Sequence, residues 1–157
     1  MSPKASVLVV ANRTADSAEL IAALRQRAAR SPARFRLLVP AVPRGLAWAA
    51  DMKAGEDDAV ARAEDSLRRL RLAGLDMEGA IVGDPDPFAA VGDALHSHEF
   101  EEVIVSTLPR GASRWLRLSL PDRLRRATDV PITHVVTAHP GRVHRAIRQR
   151  QPAGLPS

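Results

Sequence analysis

The sequence predicts an α/β protein built on a parallel sheet with helices on both faces. Three observations carry that prediction. Short apolar, β-branched runs such as Val7-Leu8-Val9-Val10 and Val103-Ile104-Val105 are continuous rather than alternating, which suits strands buried on both faces. Helical patterns separate these runs at the spacing of βαβ units. The 157 residues, 45% hydrophobic and 26% charged, suit one domain with one core.

Ser6 to Ala11 reads as the first strand, followed by the loop Asn12-Arg13-Thr14. The next helix opens on Asp16 with Glu19 three residues on, the spacing of a capping box. Leu20, Ile21, Leu24 and Ala28 share one face. Arg25, Arg27 and Arg30 load its C-terminal end, as the helix dipole prefers. Ser31-Pro32 stops it. Phe35 to Val42 is the second strand, ended by Pro43-Arg44-Gly45. Residues 46–54 read either as a lid carrying Trp48 and Met52 or as the first turn of the next helix.

Glu56 to Ala73 is the clearest helix. Val60, Ala63, Leu67 and Leu70 step by three, four and three along a predicted inner face. Asp58–Arg62, Glu64–Arg68 and Asp65–Arg69 stand at i,i+4 with the acid first, the favourable order. Gly74 is placed to cap the helix. Met77 to Val82 is the third strand. Asp86 then reads as an N-cap with Pro87 at the first helical position, and Phe88, Val91 and Leu95 form that helix's inner face. Glu102 to Thr107 is the fourth strand, Leu108 to Ser119 an Arg-rich loop, Pro121 to Thr128 a short helix and Ile132 to Thr137 the fifth strand. Residues 1–137 thus form the domain. Residues 138–157, with four Arg, three Pro and no acid, read as a basic tail with one helical turn around Arg142 to Gln149.

Composition excludes several functions. Cysteine is absent, which removes disulfides, thiol nucleophiles and thiolate metal sites. No apolar run approaches the ~18 residues of a membrane span. The opening Met1-Ser2-Pro3-Lys4 and the short run after it do not make a signal peptide, so a cytoplasmic location is expected. His96-Ser97-His98-Glu99 does not make a metal site, because positions two apart do not share a helix face. His134, between Ile132 and Val136, reads as a half-buried histidine of the last strand. Neither a nucleophile elbow nor a Walker loop is present, and no catalytic constellation stands out.

The net charge of +5 is divided unevenly. Residues 1–109 carry a net −3; residues 110–157 carry ten Arg against Asp122 and Asp129. Such asymmetry points to an anionic partner. Nucleic acid is not expected, because Trp115 is the lone aromatic of the basic segment and no recognition-helix or finger spacing occurs.

The order of these elements is recognisable. Val7–Val10, the long helix to Gly74, Val82-Gly83-Asp84-Pro85, Val103-Ile104-Val105 and the ending Arg125-Arg126-Ala127-Thr128-Asp129-Val130-Pro131-Ile132 together resemble the universal stress protein family over roughly residues 5–137. The resemblance implies a doubly wound, five-stranded parallel sheet in the order 3-2-1-4-5. Ligands of such sheets bind beyond the C-terminal strand ends where the order reverses, here between strands 1 and 4. That nominates Asn12, Arg13 and Thr14 from the first loop. From the end of strand 4 onward it nominates Ser106, Thr107, Arg110, Gly111, Ser113, Arg114, Arg117 and Ser119. Gly83 and Asp84, in the strongest local match, join them.

The chain also departs from the family's nucleotide-binding pattern. ATP-binding members share Gly-x2-Gly-x9-Gly-Ser/Thr after strand 4, which lets backbone N–H groups approach phosphates. Here Gly111 and Ser119 alone survive, and Pro109 removes a donor. The sequence sorts with the branch that lacks this signature. The expectation is therefore a non-catalytic binding or regulatory module, with no cofactor, holding an anionic small ligand in the strand 1/strand 4 crevice. Arginine forks match phosphate or carboxylate. Two alternatives stay open: an ATP- or AMP-binding universal stress protein with slow or no hydrolysis, and polyanion binding by the basic tail. The resemblance also implies a homodimer through Ile132 to Thr137; a separate protein partner is a further expectation.

Overall fold

A computed structural model describes residues 3–41, 49–109, 113, 115 and 119–138, with the backbone alone over 49–56. Nine elements follow in order: β1 (Ala5–Val10), α1 (Ala18–Arg30), β2 (Ala33–Pro40), α2 (Ala49–Leu72), β3 (Met77–Gly83), α3 (Pro87–Ser97), β4 (Glu102–Thr107), α4 (Leu120–Ala127) and β5 (Ile132–Val136). The strands form one parallel sheet in the order β3-β2-β1-β4-β5, as expected. The basic tail beyond Ala138, with its predicted turn, lies outside the described residues.

β1 is flanked by β2 and β4, and its side chains alternate between two cores. Val7 and Val9 meet Leu20, Leu24, Ala63 and Leu70 from α1 and α2. Leu8 and Val10 meet Ala90, Val91, Ala94, Leu120 and Leu124 from α3 and α4. The topology requires this division: β1 to β3 steps outward in one direction, and the β3–β4 crossover returns past β1 to step in the other. Crossovers of one hand then place the two helix pairs on opposite faces.

Two elements differ instructively from their patterns. Helix α1 is capped by Ser17, whose Oγ accepts from Leu20 N at 3.1 Å, and not by Asp16. Asp16 instead pairs with Arg69 of α2. Helix α2 begins at Ala49, so 49–54 belong to the helix; Trp48 lies outside the described residues. Its buried face is Ala59, Ala63, Ser66 and Leu70, while Val60 is 41% exposed. Of the predicted stripe, Ala63 and Leu70 are buried and Leu67 packs partly buried against the same core, while Ala59 takes the inward place expected of Val60. The i,i+4 pattern also holds only in part. Arg69 pairs with Asp65 at 3.2 Å, whereas Arg68 turns to Asp65 at 2.9 Å. Arg62 leaves its own helix altogether.

Two other helix ends behave as the sequence predicts. Gly74 takes φ +86°, with Leu75 N donating to Leu70 O and Gly74 N to Arg71 O, a Schellman ending. Asp86 caps α3 by accepting from Phe88 N at 3.1 Å, with Pro87 at the first position. Lys4 and Arg34 hold Asp76 at the end of the sheet where the strands begin and push its carboxyl below the usual range; the Lys4 hydrogen bond is the main cause.

Gly83 is a packing glycine. A Cβ there would lie 2.8 Å from Ala90 Cβ and 2.9 Å from Leu38 Cδ1. Ala90 is on the α3 backbone's inner face, so relief requires the helix to move. Gly83→Ala is expected to destabilise the fold by about 1–3 kcal/mol, read as a lowered urea midpoint with an unchanged slope.

Candidate functional site

The crevice is built where β1 and β4 end side by side. Ala11 stays in the sheet through its N–H to Leu38 O at 3.1 Å. The chain then turns twice, with Ala15 N donating to Asn12 O at 3.3 Å and Ser17 N to Thr14 O at 3.1 Å. Alternate side chains of this loop are clasped from outside it. Asn12 Oδ1 accepts from Arg62 Nη1 at 2.9 Å. Thr14 Oγ1 accepts from Ser106 Oγ at 2.7 Å, and both residues are buried. Asp16 accepts from Arg69. Arg13, between the first two clasps, is exposed, and no hydrogen bond or ion pair ties its side chain to another described residue.

The end of β5 closes the next position along the sheet. Thr137 is fully buried; its N–H donates to Thr107 O at 2.8 Å, and its Oγ1 lies 2.8 Å from Ser17 Oγ. Ala138 N donates to Glu19 Oε1 at 3.3 Å. Serine and threonine hydroxyls can serve at these dry positions because each both donates and accepts. Among the described residues no buried side-chain polar atom lacks a partner.

The candidate residues separate by place. Asn12, Arg13, Thr14 and Ser106 come together at the β1/β4 crevice. Thr107 ends β4 with its Oγ1 turned to His134 Nε2 at 2.8 Å. Ser113 is buried, and its N–H donates to Pro109 O at 3.0 Å. Ser119 opens α4 exposed, at φ +53°, with its carbonyl accepting from Arg123 N. Gly83 and Asp84 end β3, two strands away from β1. There Asp84 Oδ1 accepts from Asp86 N at 2.8 Å and shapes the turn into α3. Arg110, Gly111, Arg114 and Arg117 lie outside the described residues.

Arg62, Arg69, Ser17 and Thr137 were not nominated by the sequence. Arg62 and Arg69 look like partners of acids one turn earlier, and nothing local signals a contact 50 or more residues away. Among the described residues no cluster of three or more His, Asp or Glu is placed to hold a metal. His96 Nδ1 lies 2.8 Å from Gly92 O of its own helix. No described helix is long and apolar enough to cross a membrane.

No family model matches the chain, and no curated protein matches it in sequence. Solved structures do match its fold. A universal stress protein from Archaeoglobus fulgidus, 11% identical, aligns with a TM-score of 0.59 over 85% of this chain and 99% of its own. A universal stress protein crystallised in complex with cAMP, 20% identical, gives 0.57 over 87% and 100%. A hypothetical protein, 15% identical, gives 0.59 over 86% and 97%. The fold is that of the universal stress proteins, as the sequence resemblance implied.

His134 provides a test of the site's edge. It is half-buried, and burial, with the nearby Arg125 charge, holds its imidazole below the usual range against the weaker opposing pull of Asp122. A depressed histidine favours the neutral form in the folded state. Stability is therefore full above the unfolded value of about 6.5 and is lost as pH falls below it, until the folded group also protonates. Between pH 7.5 and 5.5 the melting temperature should fall more for the wild type than for His134→Gln. Equal falls would show that His134 does not titrate differently on folding.

Proposed function

We propose that this chain is a binding or regulatory module of the universal-stress-protein type, holding an anionic small ligand at the β1/β4 crevice without chemical turnover. The observation that carries this reading is the clasped loop. Asn12 and Thr14 are held from α2 and β4, and Arg13 between them is left exposed beyond the strand ends. A guanidinium presented from a fixed backbone loses less entropy on binding than one on a free loop. Its fork matches the oxygens of phosphate or carboxylate.

A second reading, nucleotide binding, is favoured by one observation: a structural neighbour was crystallised with cAMP. That neighbour is 20% identical to this chain, so the likeness supports the fold rather than the ligand. In the first reading, the binding module, the chain is a cytoplasmic homodimer. β5 pairs with β4 alone among the described strands, and Val136 is 46% exposed on it. The proposed pairing surface is the last strand, Ile132 to Thr137, of which Thr137 is itself buried within the chain.

Native mass spectrometry of freshly purified protein tests ligand and assembly together. The expected spectrum shows a dimer carrying a retained small anion. Calorimetry should then show binding of inorganic phosphate, ATP or cAMP. A ligand-free species that binds none of the three at millimolar concentration would overturn the reading.

A further inference from the structure

We infer that the outer edge of β3 is an interface, on which a second copy of this chain pairs antiparallel around a two-fold axis. This edge lies at the other end of the sheet from β5 and does not depend on the ligand reading above. Among the described strands β3 pairs with β2 alone. Ala41 N donates to Gly83 O at 3.1 Å, so Gly83 turns its carbonyl toward β2. The alternation of a parallel ladder then turns the N–H and C=O groups of Val82 and Ala80 outward. No hydrogen bond ties those groups to a described residue outside the sheet. Natural sheets guard such an edge with Lys, Pro or inward-pointing charge. Gly79 to Gly83 contain none of these, and Glu78, beside them, is held by Arg36 at 3.0 Å.

Helix α2 says what covers this edge. Arg71 Nη2 donates to Met77 O, at the start of β3, at 3.1 Å, which marks the side of α2 beside the edge. Val60, Glu64 and Leu67 share that side at helical spacing. Val60 is 41% exposed and Leu67 only partly buried against the core, so the flank is apolar and wet. Its charges are divided along its length. Glu64 is exposed, and the Arg68 expected beside it turns to Asp65, so no ion pair ties it to another described residue. Arg71 meets a neutral carbonyl. A two-fold, antiparallel pairing of β3 with a second β3 lays the two α2 flanks side by side in reverse order. Arg71 of each copy then faces the Glu64 half of the other, twice by symmetry, with Leu67 between them. The acid at one end and the base at the other are the complementarity that a two-fold contact requires. Strand pairing supplies the backbone hydrogen bonds. With β5 paired as proposed above, chains join at both edges and assemblies grow past the dimer.

Amide hydrogen exchange of the unaltered chain tests this at low and high protein concentration. Exchange at Ala80 and Val82 should slow as concentration rises, while Ala22 on α1 stays constant. Exchange that is slow at every concentration would show that the chain covers its own edge. Exchange that is fast at every concentration would show an edge that nothing covers. Either result overturns the inference. Cross-linking then locates the contact. The sequence has no cysteine, so Ala80→Cys carries its sole thiol, and a short bis-maleimide should join two copies. Ala22→Cys, exposed on α1, gives the background of chance collisions. Adding Glu64→Arg to Ala80→Cys should cut the yield at least about tenfold, because like charges then meet across the contact. Adding Arg71→Glu as well should restore it. The inference fails if Ala80→Cys links no better than Ala22→Cys, or if Glu64→Arg leaves the yield unchanged. It fails also if Arg71→Glu brings no recovery in a chain that circular dichroism shows to be folded.

Discussion

Val7, Leu8, Val9, Val10 and Ala11 are wholly shielded from solvent. A strand dry on both faces cannot lie at an edge or under a single layer of helices. It must have strands on either side and helices above and below, and each of its large side chains is worth about 2 kcal/mol when so buried. The strand order, the separation into two cores and the opening between the loops after β1 and β4 all follow from satisfying that one segment. The chain must move outward on one side of β1, return, and move outward on the other. The helices that follow β1 and β4 lie on opposite faces, the arrangement in which such sheets bind ligands at the strand ends.

That crevice is stiff because of buried hydroxyls more than surface charges. The Arg69–Asp16 pair is half-exposed, and pairs of that kind contribute roughly 0–1 kcal/mol. The Ser106–Thr14 bond is buried at both ends. Losing one partner would strand the other at a cost of about 1–3 kcal/mol. The conformation of the loop is therefore set mainly by Thr14, with Arg62 and Arg69 adding attachments on either side. Arg13 is left exposed between these attachments.

The sequence made the sheet legible because its signal is local. Continuous β-branched runs, Gly74 after a long helix, and Asp86-Pro87 before another each report on their own neighbourhood, and each was found where expected. Helix faces were less legible. The three-four-three spacing pointed to Val60, yet Ala59, one position earlier, is buried and Val60 is 41% exposed. Asp16 looked like a cap by spacing, but Arg69, distant in sequence, claimed it, and Ser17 took the cap. The site was half legible. Asn12, Arg13, Thr14 and Ser106 follow from the switch point of the sheet. Arg62 and Thr137 reach it through contacts 50 and 120 residues apart, which no periodicity encodes.

The central claim is that the loop after β1 is held in one conformation before any ligand arrives. Amide hydrogen exchange at Ala15 and Ser17, whose N–H groups donate to Asn12 O and Thr14 O, reads this directly. The account predicts exchange in the ligand-free protein slower than in an unstructured chain by at least about a hundredfold, with Ser106→Ala restoring much of the lost rate. Exchange at unprotected rates in the wild type would show a mobile loop and contradict the account.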